Sequence, residues 1–390
     1  MQSWGNVSDV GLLLRGGAVN VGNSTFIDAL YGGDSIAIEA LSSAELDLGD
    51  LTATGFANGI VIRDSVGLEC GIGALNLNVS GIGIEVGEYG SLSAGPVSVF
   101  DAATGGLIIR EGASAEIAQS TISGNGGFTG LALYSGAILE VSENLSIDGY
   151  TFGVLSTGDG LPHAIRGDVT VEDCPTAIWI HSGNLWHNNG DFLAIGQNEG
   201  VGVIISSGSY EEWGPGVSRF SGYDTGIRLD WADSAMALGN IEIHNSQIDG
   251  IYVGNSDFVR IDGLRVLSSV QDGITVYLSS YFDFSNLDID DCGLSGICLR
   301  NEASGRVRGS RIHNNGVFVD ENSTVDVGDY MDPGGNVFSY SAKSTLPFFI
   351  ANMNEGSTVN AHGNLWGIDS GLSCPPDPLK ILGAVSVGCD

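Results

Sequence analysis

The chain has 390 residues, of which 47 are acidic and 14 basic, and its only lysines are Lys343 and Lys380; the formal net charge is −33. Such a field repels nucleic acid, and it repels anionic lipid and polyuronate unless a divalent cation intervenes. With 60 glycines, 9 prolines and 43% hydrophobic residues, the composition excludes both a collagen-like and a disordered chain and supplies enough apolar material for a core.

The N-terminal QSWGNVSDV has neither a basic nor an apolar stretch of the export type, and no run of eighteen apolar residues follows, so membrane insertion is not expected. A repeat begins by residue 11 and runs almost to the C-terminus, so the chain reads as a fragment of a longer protein, secreted or on a cell surface. Its acidity suits saline surroundings, where self-repulsion is screened. The sequons at Asn6, Asn23, Asn78, Asn144 and Asn322 permit glycosylation there.

Taken in chain order, a small residue opens a motif at Gly11, Ser35, Gly59, Gly83, Gly106, Gly130, Gly153, Ala177, Gly202, Gly226, Gly250, Gly273, Gly296 and Gly316, at intervals of 23 to 25 residues except for the last. The next position is apolar throughout (Leu12, Ile36, Ile60, Ile84 and onward to Val317). Two residues later the same holds with one exception, Ser156. Alternation with period two marks a half-buried strand. A second alternating run follows in each repeat, as in SDFVRIDG and NSTVDVGD, and a third leads to the next motif. Three short strands in about 24 residues leave no room for a crossover helix, which points to one turn of a parallel β-helix. The expected fold is therefore all-β, a single-stranded solenoid of about 14–15 turns. Residues 1–329 carry the repeats, and residues 330–390 hold the last turns with an irregular C-terminal cap. The opening glycine implies either positive φ or close backbone approach at each corner. Asparagines in EIHNSQIDG and RIHNNG mark the last bend of the turn, where Asn tolerates the left-handed conformation.

The segments ISGNGGFTGLAL, IHNSQIDGIYV and RIHNNGVFV resemble the repeat of the right-handed parallel β-helix, or pectin-lyase-like, superfamily. AHGNLWGIDSGLSCPPDP resembles the Asn-x-Trp-Gly segment near the end of many exported β-helix proteins. The resemblance covers nearly the whole chain and implies a right-handed coil. It leaves activity open, because the superfamily holds polysaccharide lyases, glycoside hydrolases, tailspikes, adhesins and non-catalytic surface proteins.

Function on a solenoid sits on outward positions. Between the two inward residues of the first strand lies a mostly apolar column that includes Leu13, Ala37, Val61, Ile108, Leu155, Trp179, Ile204, Tyr252, Cys298 and Phe318. So long a stripe needs a cover: either another subunit or domain, including a second copy, or the chain's own segment 330–350. The next column places Arg15, Glu39 and Arg63 on successive turns, and on the last strand Arg219, Glu242, Arg265 and Asp288 alternate in sign; both read as inter-turn ion-pair ladders. Asp230, Asp288, Asp290 and Asp291 are the catalytic candidates, since glycoside hydrolysis needs paired carboxylates at spacings that adjacent turns provide. No loop pattern for calcium is evident, so no cofactor is expected; calcium stays open only through the carboxylates. Trp179, His181, Trp186, His187, Tyr210, Trp213 and Trp231 crowd into three turns, where they would either bind polysaccharide or a protein partner or pack a loop. His244 and His313, before the corner asparagines, read as structural. Six cysteines are too few for a disulfide scaffold. Cys374 and Cys389 bracket the final segment and could close a loop, and Cys292 and Cys298 flank one turn. The first reading is a non-catalytic spacer, adhesion or assembly module; the alternative is a carbohydrate-active enzyme or tailspike-like binder.

Overall fold

A computed structural model describes residues 10–27, 35–63, 69–231, 234–278, 281–340, 349–354, 356–368, 371–373, 381–383 and 385–388. These residues are all-β, with no helix among them, and stack as a parallel β-solenoid of about 13 turns. The chain divides into two compact units, Met1–Trp179 with Gly183–Phe192, and Ile180–Ser182 with Leu193–Asp390.

Each regular turn has three strands. In the first unit one turn comprises Gly105–Ile109 and Ser114–Ile117, followed by the start of Ser120–Tyr134. In the second unit another comprises Ile274–Tyr277, Tyr281–Ser285 and Asp288–Asp290. Each strand pairs in parallel with its counterpart one turn away. The first strands of unit one stack Leu12, Ile38, Ile60, Ile84, Leu107, Leu131 and Val154. Those of unit two stack Val203, Ile227, Ile251, Ile274, Ile297, Val317, Ile350 and Ile381. Parallel pairing thus continues beyond residue 330, where one antiparallel pair, Leu365–Ile368 with Gly371–Ser373, departs from it.

The register departs from the sequence alignment at one turn. Leu12 pairs with Ile38, not Ile36, so Ala37, not Ser35, stands at the glycine position and Glu39, not Ala37, at the outward one. Ile36 pairs instead with Val10 and Asn58. The motif SIAIEA is apolar at alternate positions whichever way it is slid by two, and only pairing across turns resolves it. Ser156, the one polar residue in the second inward stack, pairs with Leu133 and is fully buried with no hydrogen-bond partner for its hydroxyl.

The glycines that open the first strands answer to space. Gly130 and Gly226 lie outside the left-handed region. A Cβ on Gly130 would fall 2.2 Å from Ile147 Cγ2, and one on Gly226 would fall 2.2 Å from Ile243 Cγ2 and 2.6 Å from the Gly250 carbonyl oxygen. The interior is filled there by an isoleucine from the third strand, and only hydrogen fits. Positive φ is found at the corners instead, and after the third strand Asn245 (φ 53), Ser268 (φ 63), Asp291 (φ 55) and Asn314 (φ 55) succeed one another. The Asn245 and Ser268 N–H groups donate to the carbonyls of Leu267 and Asp290 on the next turn. The corner asparagines thus have the conformation their sequence context predicts.

Replacing Gly226 with Ala should destabilise the protein by about 1–3 kcal/mol through overpacking. Gly22→Ala, whose Cβ would meet nothing within 4 Å, should stay within about 0.5 kcal/mol of the parent. Chemical denaturation of the two variants beside the parent checks both.

Candidate functional site

The outward side chains fall on three faces, one for each strand of the turn. On the third face of unit two, Arg219, Glu242, Arg265, Asp288 and Arg311 stand opposite one another on successive strands. Arg219 donates to Glu242 through Nε and Nη2 at 3.0 and 2.8 Å. Arg265 bridges Glu242 at 2.8 Å and Asp288 at 3.3 Å, and Arg311 closes on Asp288 at 2.8 Å. The ladder read from sequence is thus formed and extends one residue further. Burial alone would raise the Glu242 carboxyl, but hydrogen bonds from Arg219 and His244 and the charges of Arg219 and Arg265 outweigh it and hold the group at about 2.

That ladder decides the place of the acidic candidates. Asp288 lies between two guanidiniums, those of Arg265 and Arg311, and is taken up by the ladder. Asp290 accepts from Asn314 Nδ2 at 3.0 Å, and Asp291 supplies the left-handed corner. His244 touches Glu242 at 3.1 Å and His313 Nδ1 lies 2.7 Å from the Ser339 hydroxyl, so both histidines are built into the same face. In unit one, Arg63 pairs with Glu39 at 2.6 Å and Arg110 with Glu85 at 2.7 Å, each between residues one turn apart. The side chain of Arg15 is outside the described residues.

The apolar column of the first face is unevenly covered. Leu13 is exposed, while Val61, Ile108 and Cys298 are buried. Leu155, Trp179, Ile204, Tyr252 and Phe318 are half-buried. In unit one Trp179 lies against Phe152, with ring centroids 4.8 Å apart, and Phe152 meets Phe128 edge-on at 5.2 Å.

The seven aromatics that are close in sequence do not share an environment. Within unit one, His187 is wholly buried on the second strand Asn184–Asn188, 3.0 Å from the Gly167 carbonyl and edge-on to Phe192. Trp186, its neighbour on that strand, is half-buried. Within unit two, Tyr210 is wholly buried and hydrogen-bonds Ser218 at 2.6 Å. Three residues on, Trp213 is open to solvent and donates to Glu211 at 3.0 Å. His181 is exposed. Trp231 is 75% exposed and takes φ +61, a conformation a bulky side chain rarely adopts. Side chains alternate in direction along a strand and strands turn a corner every few residues, so proximity in sequence does not gather these rings.

The first face of unit two does gather chemistry. Arg228, Tyr252, Thr275 and Cys298 occupy successive strands, and two residues along come Asp230, Gly254, Tyr277 and Arg300. Asp230 accepts from Arg228 Nη2 at 2.8 Å and from Asn255 Nδ2 at 3.3 Å. A Cβ on Gly254 would meet the Tyr252 hydroxyl at 2.8 Å and Asp230 Oδ1 at 3.0 Å, so the phenol leans across the glycine toward the carboxylate. Burial first, and then the Asp230 charge, raise the Tyr252 hydroxyl. The Arg228 and Arg300 guanidiniums lie 5.7 and 6.0 Å from the ring centres of Tyr252 and Phe318, within cation–π range.

Two carboxylates that the sequence did not single out stand at the entry to these strands. Asp249 and Asp272 are 7% and 5% exposed on adjacent turns. The Asp272 N–H donates to Asp249 Oδ1 at 3.3 Å, and the Ser295 N–H to Asp272 Oδ1 at 2.8 Å. Burial, reinforced by the charge of Asp272, pushes the Asp249 carboxyl up to about 6 despite that hydrogen bond. Their signal in the sequence was an Asp directly before the opening glycine in two consecutive repeats. Burial pushes the Cys298 thiol up to about 12, so it stays protonated, and Cys292 and Cys298 are both free. Cys374 and Cys389 lie outside the described residues. No group of three or more His, Cys, Asp or Glu suited to a metal ion occurs among the described residues.

Residues 225–345 match the family model described as "Right handed beta helix region". No curated protein and no solved structure matches the chain. The family match and the parallel β-solenoid that carries it are together consistent with the pectin-lyase-like β-helix superfamily.

Proposed function

We propose that the chain is a non-catalytic β-helix segment of a larger secreted or cell-surface protein. It serves as a stiff module that positions neighbouring domains or subunits and meets polysaccharide on the first face of its second unit. The observation that carries this reading is the use to which the outward charges are put. Asp288, Glu242 and Asp283 are spent on arginines one turn away, and Asp230 is held by Arg228 and Asn255. A carboxylate so held has its oxygens engaged within the chain, and a ladder of such pairs stiffens a stack of turns. Tyr252, Tyr277, Arg228 and Arg300 supply aromatic and hydrogen-bonding groups at one-turn intervals, the chemistry that suits an extended, uncharged glycan beside an acidic chain.

The buried pair Asp249 and Asp272 favours a second reading, a carbohydrate-active enzyme. A carboxyl at about 6 beside a second carboxyl has the asymmetry of a general acid and its partner. Incubation with neutral and acidic polysaccharides, with and without calcium, separates the two readings. Binding without new reducing or unsaturated ends is expected. Turnover that falls as pH rises through about 6 and is abolished by Asp249→Asn would replace the first reading with the second.

The ladder also fixes a pH dependence. The Glu242 carboxyl is lowered from its ordinary 4.5 to about 2 on folding, so the stability it contributes is complete above 4.5 and is lost as pH falls toward 2. Thermal unfolding between pH 6 and 2 should show a midpoint that drops below pH 4.5 in the parent. In Glu242→Gln the midpoint should start lower and decline less steeply.

A further inference from the structure

The corner between the second and third strands is short in most turns of unit two. Gly309 and Ser310 alone separate Ser304–Arg308 from Arg311–His313, and Asn286 and Leu287 alone separate Tyr281–Ser285 from Asp288–Asp290. One turn later, Val327 to Asn336 intervene between Thr324–Asp326 and Val337–Tyr340. The solenoid has no need of these extra residues, and insertions in repeat folds are where binding surfaces are built.

The insertion is held firmly at its base. Arg308 Nη2 reaches Asp326 at 2.6 Å and Asp332 at 2.9 Å. Asn336 Nδ2 donates to the carbonyls of Val307 and Val327 at 3.1 and 2.9 Å, and Asn364 Nδ2 to Val327 at 3.0 Å. The Gly334 N–H donates to His362 at 2.9 Å, and the His362 N–H to Gly328 at 2.8 Å. The tip has its own clasp. Asp329 Oδ1 accepts from the N–H groups of Met331 and Asp332, both at 2.7 Å, and the Asp329 N–H donates to the Asp332 carbonyl at 3.0 Å. The hydrogen bonds from Asp332 and Met331 hold the Asp329 carboxyl below its usual range. This bracing presents Tyr330 and Met331 to solvent, 73% and 86% exposed, between the carboxylates of Asp329 and Asp332.

We infer that the loop Val327–Asn336 is a preformed docking tip whose Tyr330 and Met331 insert into an apolar pocket, rimmed by cationic groups, on a protein partner. Tyrosine and methionine are enriched at interfaces and depleted on free surfaces. Because the loop is ordered beforehand, little conformational entropy is lost on docking. The acidic field of a chain of net charge −33, to which Asp329 at the tip contributes, selects a basic partner and opposes a second copy of this chain.

A display library of random dodecapeptides, panned on the intact chain, tests the inference without a known partner. Enriched peptides should combine Lys or Arg with apolar residues. Their affinity should fall at least tenfold for Tyr330→Ala/Met331→Ala and weaken as salt rises. Asp329→Ala, which removes the clasp but keeps both side chains, should cost a measurable part of the same affinity. Failure to enrich any peptide, or peptides bound equally well by the double variant, would overturn the inference. An enriched set insensitive to salt would overturn its basic partner. None of these outcomes bears on polysaccharide binding at Tyr252 and Tyr277, which the double variant leaves untouched.

Discussion

The structure depends on one constraint: every turn must lay its inward side chains on those of the turn before it. Parallel pairing fixes the spacing between turns at about 4.8 Å, so a residue type chosen at one position is tested against the same position above and below. Branched aliphatic side chains meet that test in the interior. The small residue before the first inward position meets it differently, because the third strand's isoleucine occupies the space a Cβ would take at Gly130 and Gly226. Interior volume and strand register are therefore a single property. A turn that slipped by two residues would drive a side chain into Ile147 or Ile243.

The same stacking governs the outside. A charge repeated in register faces its like at one-turn spacing, as Glu116 faces Glu140, and alternating the sign or interposing neutral groups removes that repulsion. Arg219, Glu242, Arg265, Asp288 and Arg311 do the first. On the second face Asp283 and Arg306 repeat the device with two parallel hydrogen bonds of 2.8 and 3.0 Å. Ten of the fourteen Lys and Arg residues fall after residue 200, and in unit two arginines meet acidic partners on all three faces.

Period and inward alternation were legible because they recur some fourteen times, and repetition averages out a single exception such as Ser156. The ladder on the third strand was legible for the same reason, since its members recur at intervals of 23. What lay beyond the sequence was whatever depends on one turn. The two-residue slip at Ser35 was hidden by a motif that is apolar in either register. The aromatics from Trp179 to Trp231 looked like a cluster because they are near in sequence, yet Tyr210 and His187 point inward while Trp213 and Trp231 face solvent. Asp249 and Asp272 each precede an opening glycine, and nothing in that local sequence distinguishes a buried Asp from one at an open corner. Their burial is a consequence of neighbours supplied by other turns.

The corner residues show why a regular fold leaves room for function. At the bend after the third strand the left-handed conformation is met by Asn245 and Asn314 at little steric cost. At the bend after the first strand the same conformation is imposed on Trp231 and Leu278, with φ of 61 and 53, although asparagine occupies the equivalent places at Asn255 and Asn301, with φ of 49 and 58. The bend does not require a large apolar side chain, and asparagine would relieve the strain, so stability alone does not account for the tryptophan. Trp231 follows Asp230 directly, at the edge of the face that carries Arg228 and Tyr252. A strained, open ring beside a charged and aromatic surface is therefore set by something other than the stacking of the turns.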